Sequence, residues 1–166
     1  MKTVSLVILV LSTFTTGLIA GFFATYTNSV MPSLGRTDDR MFITTMQHIN
    51  RVVLNPLFLL CFTGALVLTI AATILHFSGD ARPALPWIIA ATVLYAAMFL
   101  ITMGINVPLN VKLEDAGDPA RITDLAALRE SFEAKWNVWN NVRTLTSMGA
   151  FGCLIWALVV HIRHTV

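Results

Sequence analysis

The sequence predicts an all-α membrane protein, a four-transmembrane-helix bundle that forms a single domain over residues 1–166. Only 12% of the residues are charged, about half of the ~25% that is typical of a soluble domain. The hydrophobic share is 56% and the mean hydropathy is +0.74. Four apolar stretches, each near the ~20 residues that cross a ~30 Å hydrocarbon core, cover residues 4–26, 53–77, 85–105 and 142–160. We therefore expect four membrane-spanning helices.

The first stretch begins after Lys2 and could be read as a signal peptide. It is too long for the apolar core of one, and its apolar face continues into Phe22 and Phe23. Small residues at helical spacing, Gly17, Ala20, Gly21 and Ala24, are typical of close helix packing inside a bilayer. We interpret this stretch as a retained helix.

Short elements are expected between the spans. Pro32 should end the first helix, and Thr37 or Asp38 can cap a short helix that continues to Asn50. Asn55-Pro56 allows a kink or a new helix start before the second span.

Residues 78–83 form a tight loop, and the third helix begins near Pro86 and passes a break at residues 106–108. Residues 112–135 are the most polar stretch, with Asp118-Pro119 and Asp124 as helix-start signals. An apolar stripe then predicts a surface-lying amphipathic helix that leads into helix four; it comprises Leu125, Leu128, Phe132, Trp136 and Trp139. Both short amphipathic helices, between helices 1–2 and 3–4, fall on one side of the membrane.

Several classes of function lack support in the sequence. The net charge of +2 does not favour binding to nucleic acid. Cys61 and Cys153 lie inside apolar stretches and are interpreted as core residues. His48 stands alone on its side of the membrane, so no zinc, di-iron or haem ligand spacing is present, and the predicted metal and cofactor set is none.

Three polar clusters border the apolar stretches, at residues 47–56, 106–110 and 136–143. A buried polar group without a partner costs roughly 2–7 kcal/mol, so these side chains need partners or a ligand. In the first cluster His48, Arg51 and Asn55 share one face if the helix continues across the boundary. Since all three clusters lie on the same side of the membrane, they can converge.

The clusters combine amides, two arginines, one imidazole and two indoles, a set that suits a planar aromatic molecule bearing oxygen atoms. We expect His48 to accept a proton and Arg51 and Arg143 to stabilise a developing oxyanion. The candidate substrate-binding residues are Asn50, Asn55, Asn106, Asn110, Trp136, Trp139 and Asn140. The alternative is structural: the same residues could fix the helices to one another, with Trp at the lipid interface.

The sequence resembles the DUF1772, or anthrone oxygenase-like, family of integral membrane proteins. The resemblance rests on residues 20–23 and 29–32, on the run from Met46 to Pro56, on 106–110 and on 136–144. It implies oxidation of anthrones to anthraquinones by O₂ without an organic cofactor or metal. The expected function is thus a membrane-embedded, cofactor-independent oxygenase or oxidoreductase for an anthrone-, phenol- or quinone-like substrate. The alternative is a non-catalytic protein that binds a lipid or quinone or supports a partner protein.

The expected location is the bacterial inner membrane, which the chain crosses several times. The expected partner is a hydrophobic aromatic small molecule or a lipid, not nucleic acid, and self-association into a homo-oligomer is left open. Basic residues are more numerous on the cluster side, but the short start at Lys2 favours both termini inside, so the orientation is also left open.

Overall fold

A computed structural model of the chain describes residues 2–165 and contains helices but no strand within that range. Seven α-helices follow in order: α1 Lys2–Thr25, α2 Met31–Leu34, α3 Asp39–Val53, α4 Pro56–Leu75, α5 Leu85–Ile101, α6 Val107–Asp115 and α7 Leu125–Thr165. One π-helical turn, Tyr26–Val30, joins α1 to α2, and another, Thr102–Asn106, joins α5 to α6. A 3₁₀ turn, Arg82–Ala84, precedes α5.

Four of the resulting helical segments are long and apolar enough to cross a membrane. They are Thr3–Leu34, Pro56–Leu75, Arg82–Asp115 and Leu125–Thr165. This confirms the predicted all-α bundle of four transmembrane helices. Pro32 does not end its helix as expected, because it occupies the first turn of the following helix, where a missing N–H is tolerated. Pro108 likewise lies in the first turn of α6.

The core of the bundle lies between α1, α4, α5 and α7. Tyr95 is fully buried there, and its hydroxyl donates a hydrogen bond of 2.9 Å to the carbonyl of Phe62. At Gly17 of α1 an added Cβ would lie 2.8 Å from a ring carbon of Phe151 on α7. The small residue therefore allows α1 and α7 to approach closely, as the sequence indicates.

The chain breaks between α3 and α4, so the first polar cluster does not form one continuous helical face. Leu54 adopts φ −77° and ψ 35°, and Asn55 is extended at φ −83° and ψ 157°. The proline that follows disfavours helical geometry at Asn55. The expectation that His48, Arg51 and Asn55 share a face is corrected accordingly.

Three polar side chains cap helices at the positions that the sequence indicates. Asp38 accepts from the backbone N–H of Met41 at 2.9 Å, and Asp124 accepts from Ala127 at 2.9 Å. Asn55 accepts from the N–H of Phe58 at 3.0 Å and so starts α4. These bonds satisfy donors that a helix start would leave without partners.

The predicted amphipathic helix and helix four form one uninterrupted helix, α7, of 41 residues, ~60 Å long at 1.5 Å per residue. The apolar stripe of its first half packs against α3 and α6 as part of a second apolar cluster; its buried members are Met31, Phe42, Ile43, Met46, Leu113, Phe132 and Trp136. Arg129 of α7 binds Asp39 at 3.0 Å and the carbonyl of Thr37 at 2.8 Å. Four members of the stripe, Leu125, Leu128, Phe132 and Trp136, thus face protein, whereas Trp139 lies outside this cluster.

Candidate functional site

A cavity of about 370 Å³ lies where α1, α3, α6 and α7 meet, at the end of the bundle that carries the polar clusters. We call it the Arg143 cavity. Its lining residues are Phe22, Phe23, Tyr26, Ile49, Asn50, Arg51, Val53, Leu54, Phe58, Thr102, Val107, Asn110, Val111, Glu114, Trp136 and Arg143. Most of these side chains are apolar or aromatic, and the volume lies within the roughly 300–1,000 Å³ usual for small-molecule sites.

Arg143 is the most deeply buried charge of the cavity, with 5% of its surface exposed. Its Nη2 donates to Oδ1 of Asn140 at 2.9 Å, whereas its Nε has no hydrogen-bond partner. The guanidinium lies over two rings, 4.4 Å from the centroid of Phe23 and 5.3 Å from that of Trp136. No carboxylate among residues 2–165 forms a salt bridge with it. A buried cation with a free N–H is suited to an anionic oxygen.

Glu114 and Arg51 form an ion pair at another part of the lining. Arg51 Nε donates to Oε1 of Glu114 at 2.7 Å, and the pair joins α3 to α6. Oε2 of Glu114 is buried and has no partner. Beside them Asn50 also has a buried amide nitrogen, Nδ2, without a partner. The site thus holds one free acceptor and two free donors, since Arg143 supplies the other.

Aromatic rings form another part of the lining. Trp136 is 4% exposed, and its indole Nε1 donates to Oδ1 of Asn110 at 2.8 Å, which fixes the orientation of the ring. The ring of Tyr26 lies 5.7 Å from that of Trp136 and 5.2 Å from that of Phe22. Phe22 in turn lies 5.0 Å from Phe58 of α4. These rings offer flat apolar contacts to a planar ligand.

The two π-helical turns both border the cavity. Tyr26 begins the first turn, in which the N–H of Met31 bonds to the carbonyl of Tyr26. Thr102 begins the second, in which Val107 bonds to the carbonyl of Thr102 in the same way. A π turn inserts an extra residue and rotates the side chains that follow it. In this fold the turns change which faces of the first and third spans meet the cavity.

Five of the ten residues predicted from the sequence line the cavity: Asn50, Arg51, Asn110, Trp136 and Arg143. The other five, His48, Asn55, Asn106, Trp139 and Asn140, do not. The three polar clusters therefore do converge, but each contributes only part of its members.

Asn140 and Asn106 are buried beside the cavity and connect helices. Asn140 Nδ2 donates to the hydroxyl of Thr27 at 3.0 Å and to the carbonyl of Phe23 at 3.4 Å, and its Oδ1 accepts from Arg143. Asn106 Nδ2 donates to the backbone carbonyl of Trp136 at 3.4 Å. Asn140 thus holds Arg143 in place, and Asn106 ties α7 to the turn before α6.

The remaining three predicted residues point elsewhere. His48 is exposed on α3 and lies outside the cavity lining. Asn55 is the exposed cap of α4 described above. Trp139 lines a separate groove on the outside of α6 and α7. The structure therefore does not bring His48 to the site at which a proton acceptor was expected.

Three polar residues of the lining, Tyr26, Thr102 and Glu114, were not among the predicted site residues. Glu114 belongs to the most polar stretch of the sequence, residues 112–135, yet it lines the cavity. A signal was present, because Glu114 follows Asn110 by four residues and shares its helical face. Tyr26 follows Phe22 by four residues at the end of an apolar stretch, where an aromatic residue is ordinary.

Glu114, Arg143 and Asn50 together provide a carboxylate oxygen, a guanidinium and an amide donor around an apolar space. They can remove a proton from a bound molecule and stabilise the negative charge that results. Among residues 2–165 no group of three or more His, Cys, Asp or Glu side chains is placed to hold a metal ion.

Comparison with known proteins gives one assignment. No curated protein and no solved structure shows a significant match to this chain. A family model described as anthrone oxygenase matches residues 50–153, a range that includes six of the polar cavity residues: Asn50, Arg51, Asn110, Glu114, Trp136 and Arg143. Because the match covers more than half of the chain, the protein belongs to the anthrone oxygenase family.

Proposed function

We propose that the protein oxidises a hydrophobic, oxygen-bearing aromatic compound, of the anthrone or phenol class, with O₂ inside the Arg143 cavity. The family supports an oxygenase-type role. The observation that carries the proposal is Arg143, a buried cation with no carboxylate partner and a free Nε at a hollow site. A purely structural arginine would be expected to bind carbonyls or an acid with all its donors.

The shape and polarity of the cavity favour a planar ligand. Trp136, Tyr26 and Phe22 can contact its faces, and Arg143 can bind a carbonyl or phenolate oxygen at its edge. Arg143 would bind the oxygen more strongly as it becomes anionic, because the apolar surroundings screen charge poorly. This preference for the charged state is what accelerates proton removal.

Glu114 is the proposed proton acceptor in place of the exposed His48. Its Oε1 is held by Arg51, and its Oε2, buried and without a partner, is the oxygen that accepts the proton. The proton leaves the benzylic carbon of the substrate, and the C–H electron pair passes into the aromatic system and onto the oxygen beside Arg143. The product of this step is an enolate-type anion.

The anion then reacts with O₂, the oxidant of the reaction. One electron passes to O₂, the two radicals combine, and a C–O bond forms at the former benzylic carbon. The peroxide anion so formed takes back the proton held by Glu114. The resulting hydroperoxide loses a second proton from that carbon as its O–O bond breaks, and hydroxide leaves and takes up a proton. The carbon becomes a carbonyl, so substrate plus O₂ gives quinone plus one water.

The test is O₂ consumption by the purified full-length protein in neutral detergent, with emodin anthrone as substrate. We expect O₂ uptake and anthraquinone absorbance to rise above the spontaneous background. Glu114→Gln keeps the size of the side chain and should lower the enzymatic rate by roughly 10²-fold or more. The matched control is Glu130→Gln, an exposed acid outside the cavity, which should retain the wild-type rate. The proposal is contradicted if the wild type consumes O₂ no faster than the spontaneous reaction. It is also contradicted if Glu114→Gln and Glu130→Gln have equal rates.

A second candidate function is non-catalytic binding of a quinone. It is favoured by the Arg51–Glu114 ion pair, because the guanidinium already compensates the carboxylate. In that case an anthraquinone should raise the thermal unfolding temperature while emodin anthrone is oxidised no faster than in buffer. Residence in the bacterial inner membrane and self-association into a homo-oligomer stay predictions.

A further inference from the structure

A second concave surface lies on the outside of α6 and α7, away from the Arg143 cavity. This groove, of about 450 Å³, is lined by Gly104, Ile105, Pro108, Leu109, Lys112, Ser131, Lys135 and Trp139. We call it the lysine groove. Its lining shares no residue with that of the Arg143 cavity. It contains Trp139, which the sequence predicted as a wall of the substrate site.

The groove is cationic at one end. Lys112 and Lys135 are both exposed, on different helices, and neither forms a salt bridge with a residue in 2–165. Other cations on this side do pair with acids, such as Arg51 with Glu114 and Arg129 with Asp39. No acidic residue lines the groove, and Ser131 adds a hydroxyl beside the two ammonium groups. The polar end therefore complements a negatively charged group.

The groove is apolar at its other end. Gly104, Ile105, Pro108 and Leu109 lie at or just beyond the end of the third apolar stretch, within the segment Arg82–Asp115 that is long and apolar enough to cross a membrane. An added Cβ at Gly104 would meet no atom within 4 Å, so the surface there is open. Lys135 precedes the last apolar stretch by seven residues, about 10 Å along a helix, which places the ammonium groups at headgroup depth. Trp139 lies between the two ends, where indoles are favoured.

We infer that the lysine groove binds an anionic glycerophospholipid, with its phosphate at Lys112 and Lys135 and an acyl chain along Gly104 and Leu109. The lysine end of the groove complements the charge of the lipid phosphate, and the apolar end matches an acyl chain. Both ends lie at the depth that these parts of a lipid occupy in a bilayer. Basic pockets between transmembrane helices are a recurrent way of binding anionic lipid headgroups.

The test is native mass spectrometry of the full-length protein with dioleoylphosphatidylglycerol or dioleoylphosphatidylcholine added in neutral detergent. The wild type should retain the anionic lipid in preference to the neutral one. Lys112→Gln combined with Lys135→Gln should weaken retention of phosphatidylglycerol about 10- to 30-fold. The matched control combines Arg36→Gln with Arg40→Gln, which removes two exposed charges from the same side outside the groove and should retain the lipid.

Two further measurements separate a lipid site from general attraction of anions. Gly104→Leu fills the apolar end without changing the charge and should lose the retained phosphatidylglycerol. Inorganic phosphate at the same concentration should not displace the lipid. The inference is overturned if the lysine and arginine variants lose the lipid equally, if Gly104→Leu retains it fully, or if phosphate alone displaces it.

Discussion

The two ends of the helical bundle bury polar groups in opposite ways. At one end Arg143 has a free N–H at a cavity whose lining also contains a carboxylate oxygen, Oε2 of Glu114, without a hydrogen-bond partner among residues 2–165. At the other end His76 and His161 are 0% and 1% exposed, and their rings bond directly, Nε2 to Nδ1, at 2.9 Å. His76 Nδ1 also lies 2.7 Å from the carbonyl of Ala72.

At the histidine end, both ring nitrogens of His76 and Nδ1 of His161 have hydrogen-bond partners within the protein. Because the carbonyl of Ala72 can only accept, Nδ1 of neutral His76 carries a proton, its Nε2 accepts, and Nδ1 of His161 donates. This contact joins the end of α4 to the end of α7 and lies outside both concave surfaces described above. Burial of polar groups alone does not identify a site. The Arg143 end differs from the histidine end because buried polar atoms without hydrogen-bond partners belong to residues that line a cavity there.

The largest expected effect comes from removing the cation of the Arg143 end. Arg143→Met keeps an unbranched apolar stem but removes the guanidinium, and it should lower the rate of anthrone oxidation roughly 10²- to 10³-fold, as loss of an oxyanion donor does. Stability should be unchanged or higher, because a buried charge without an acid partner is removed. O₂ uptake and thermal unfolding in detergent measure the two effects. Arg163→Met, an exposed arginine on the same helix, is the control and should change neither. A large loss of stability in Arg143→Met would instead indicate a structural role.

Breaking the histidine pair should lower stability and leave the oxidation rate unchanged, the reverse of what we expect for Arg143→Met. His76→Ala leaves a buried donor on His161 without a partner, which costs about 1–3 kcal/mol. The thermal unfolding temperature should fall, while the oxidation rate measured well below that temperature stays at the wild-type value. His164→Ala is the matched control, since His164 is exposed and its Nδ1 bonds to the carbonyl of Val160 on its own helix. Loss of activity at full stability in His76→Ala would mean that the two ends are not independent.

Replacing Asn140 should lower both stability and rate, each by a smaller amount, because this residue connects helices and also accepts a hydrogen bond from Arg143. Asn140→Ala removes the bond to the hydroxyl of Thr27 and should cost about 1 kcal/mol of stability. The rate should fall as well, by less than in Arg143→Met, since the guanidinium remains but loses its orienting acceptor. Asn137→Ala, one turn earlier and outside the cavity lining, is the control in both assays. An Asn140→Ala variant with a normal rate would show that Arg143 needs no positioning by this amide.

The smallest effect is expected at His48. Because the imidazole is exposed and outside the cavity lining, His48→Ala should change stability by less than about 0.5 kcal/mol. The rate of anthrone oxidation should stay within about twofold of the wild type. Met41→Ala, another exposed residue of α3, serves as the comparison. A loss of rate as large as that of Glu114→Gln would restore His48 as the proton acceptor.

The helical bundle and three of its helix starts follow from the amino-acid sequence alone. Hydrophobic runs near 20 residues can only cross a membrane as helices, and they predict the four segments that the structure contains. Asp38, Asp124 and Asn55 mark helix starts through bonds within three residues, so their roles follow from local chemistry. The sequence also indicates that Arg143 and Trp136 need partners, because both border an apolar run.

Packing between the helices sets which members of each cluster line the same cavity. His48 and Asn50 are two residues apart, yet only Asn50 reaches the cavity, because the rotation of α3 about its axis is set by packing of Met46 and Phe42 against α7. Trp136 and Trp139 likewise divide between the cavity and the lysine groove. The π turns before α2 and α6 shift these faces further, and no local sequence pattern fixes them. Helical periodicity gives the spacing of side chains along one helix, whereas the direction of that face depends on contacts between helices distant in sequence.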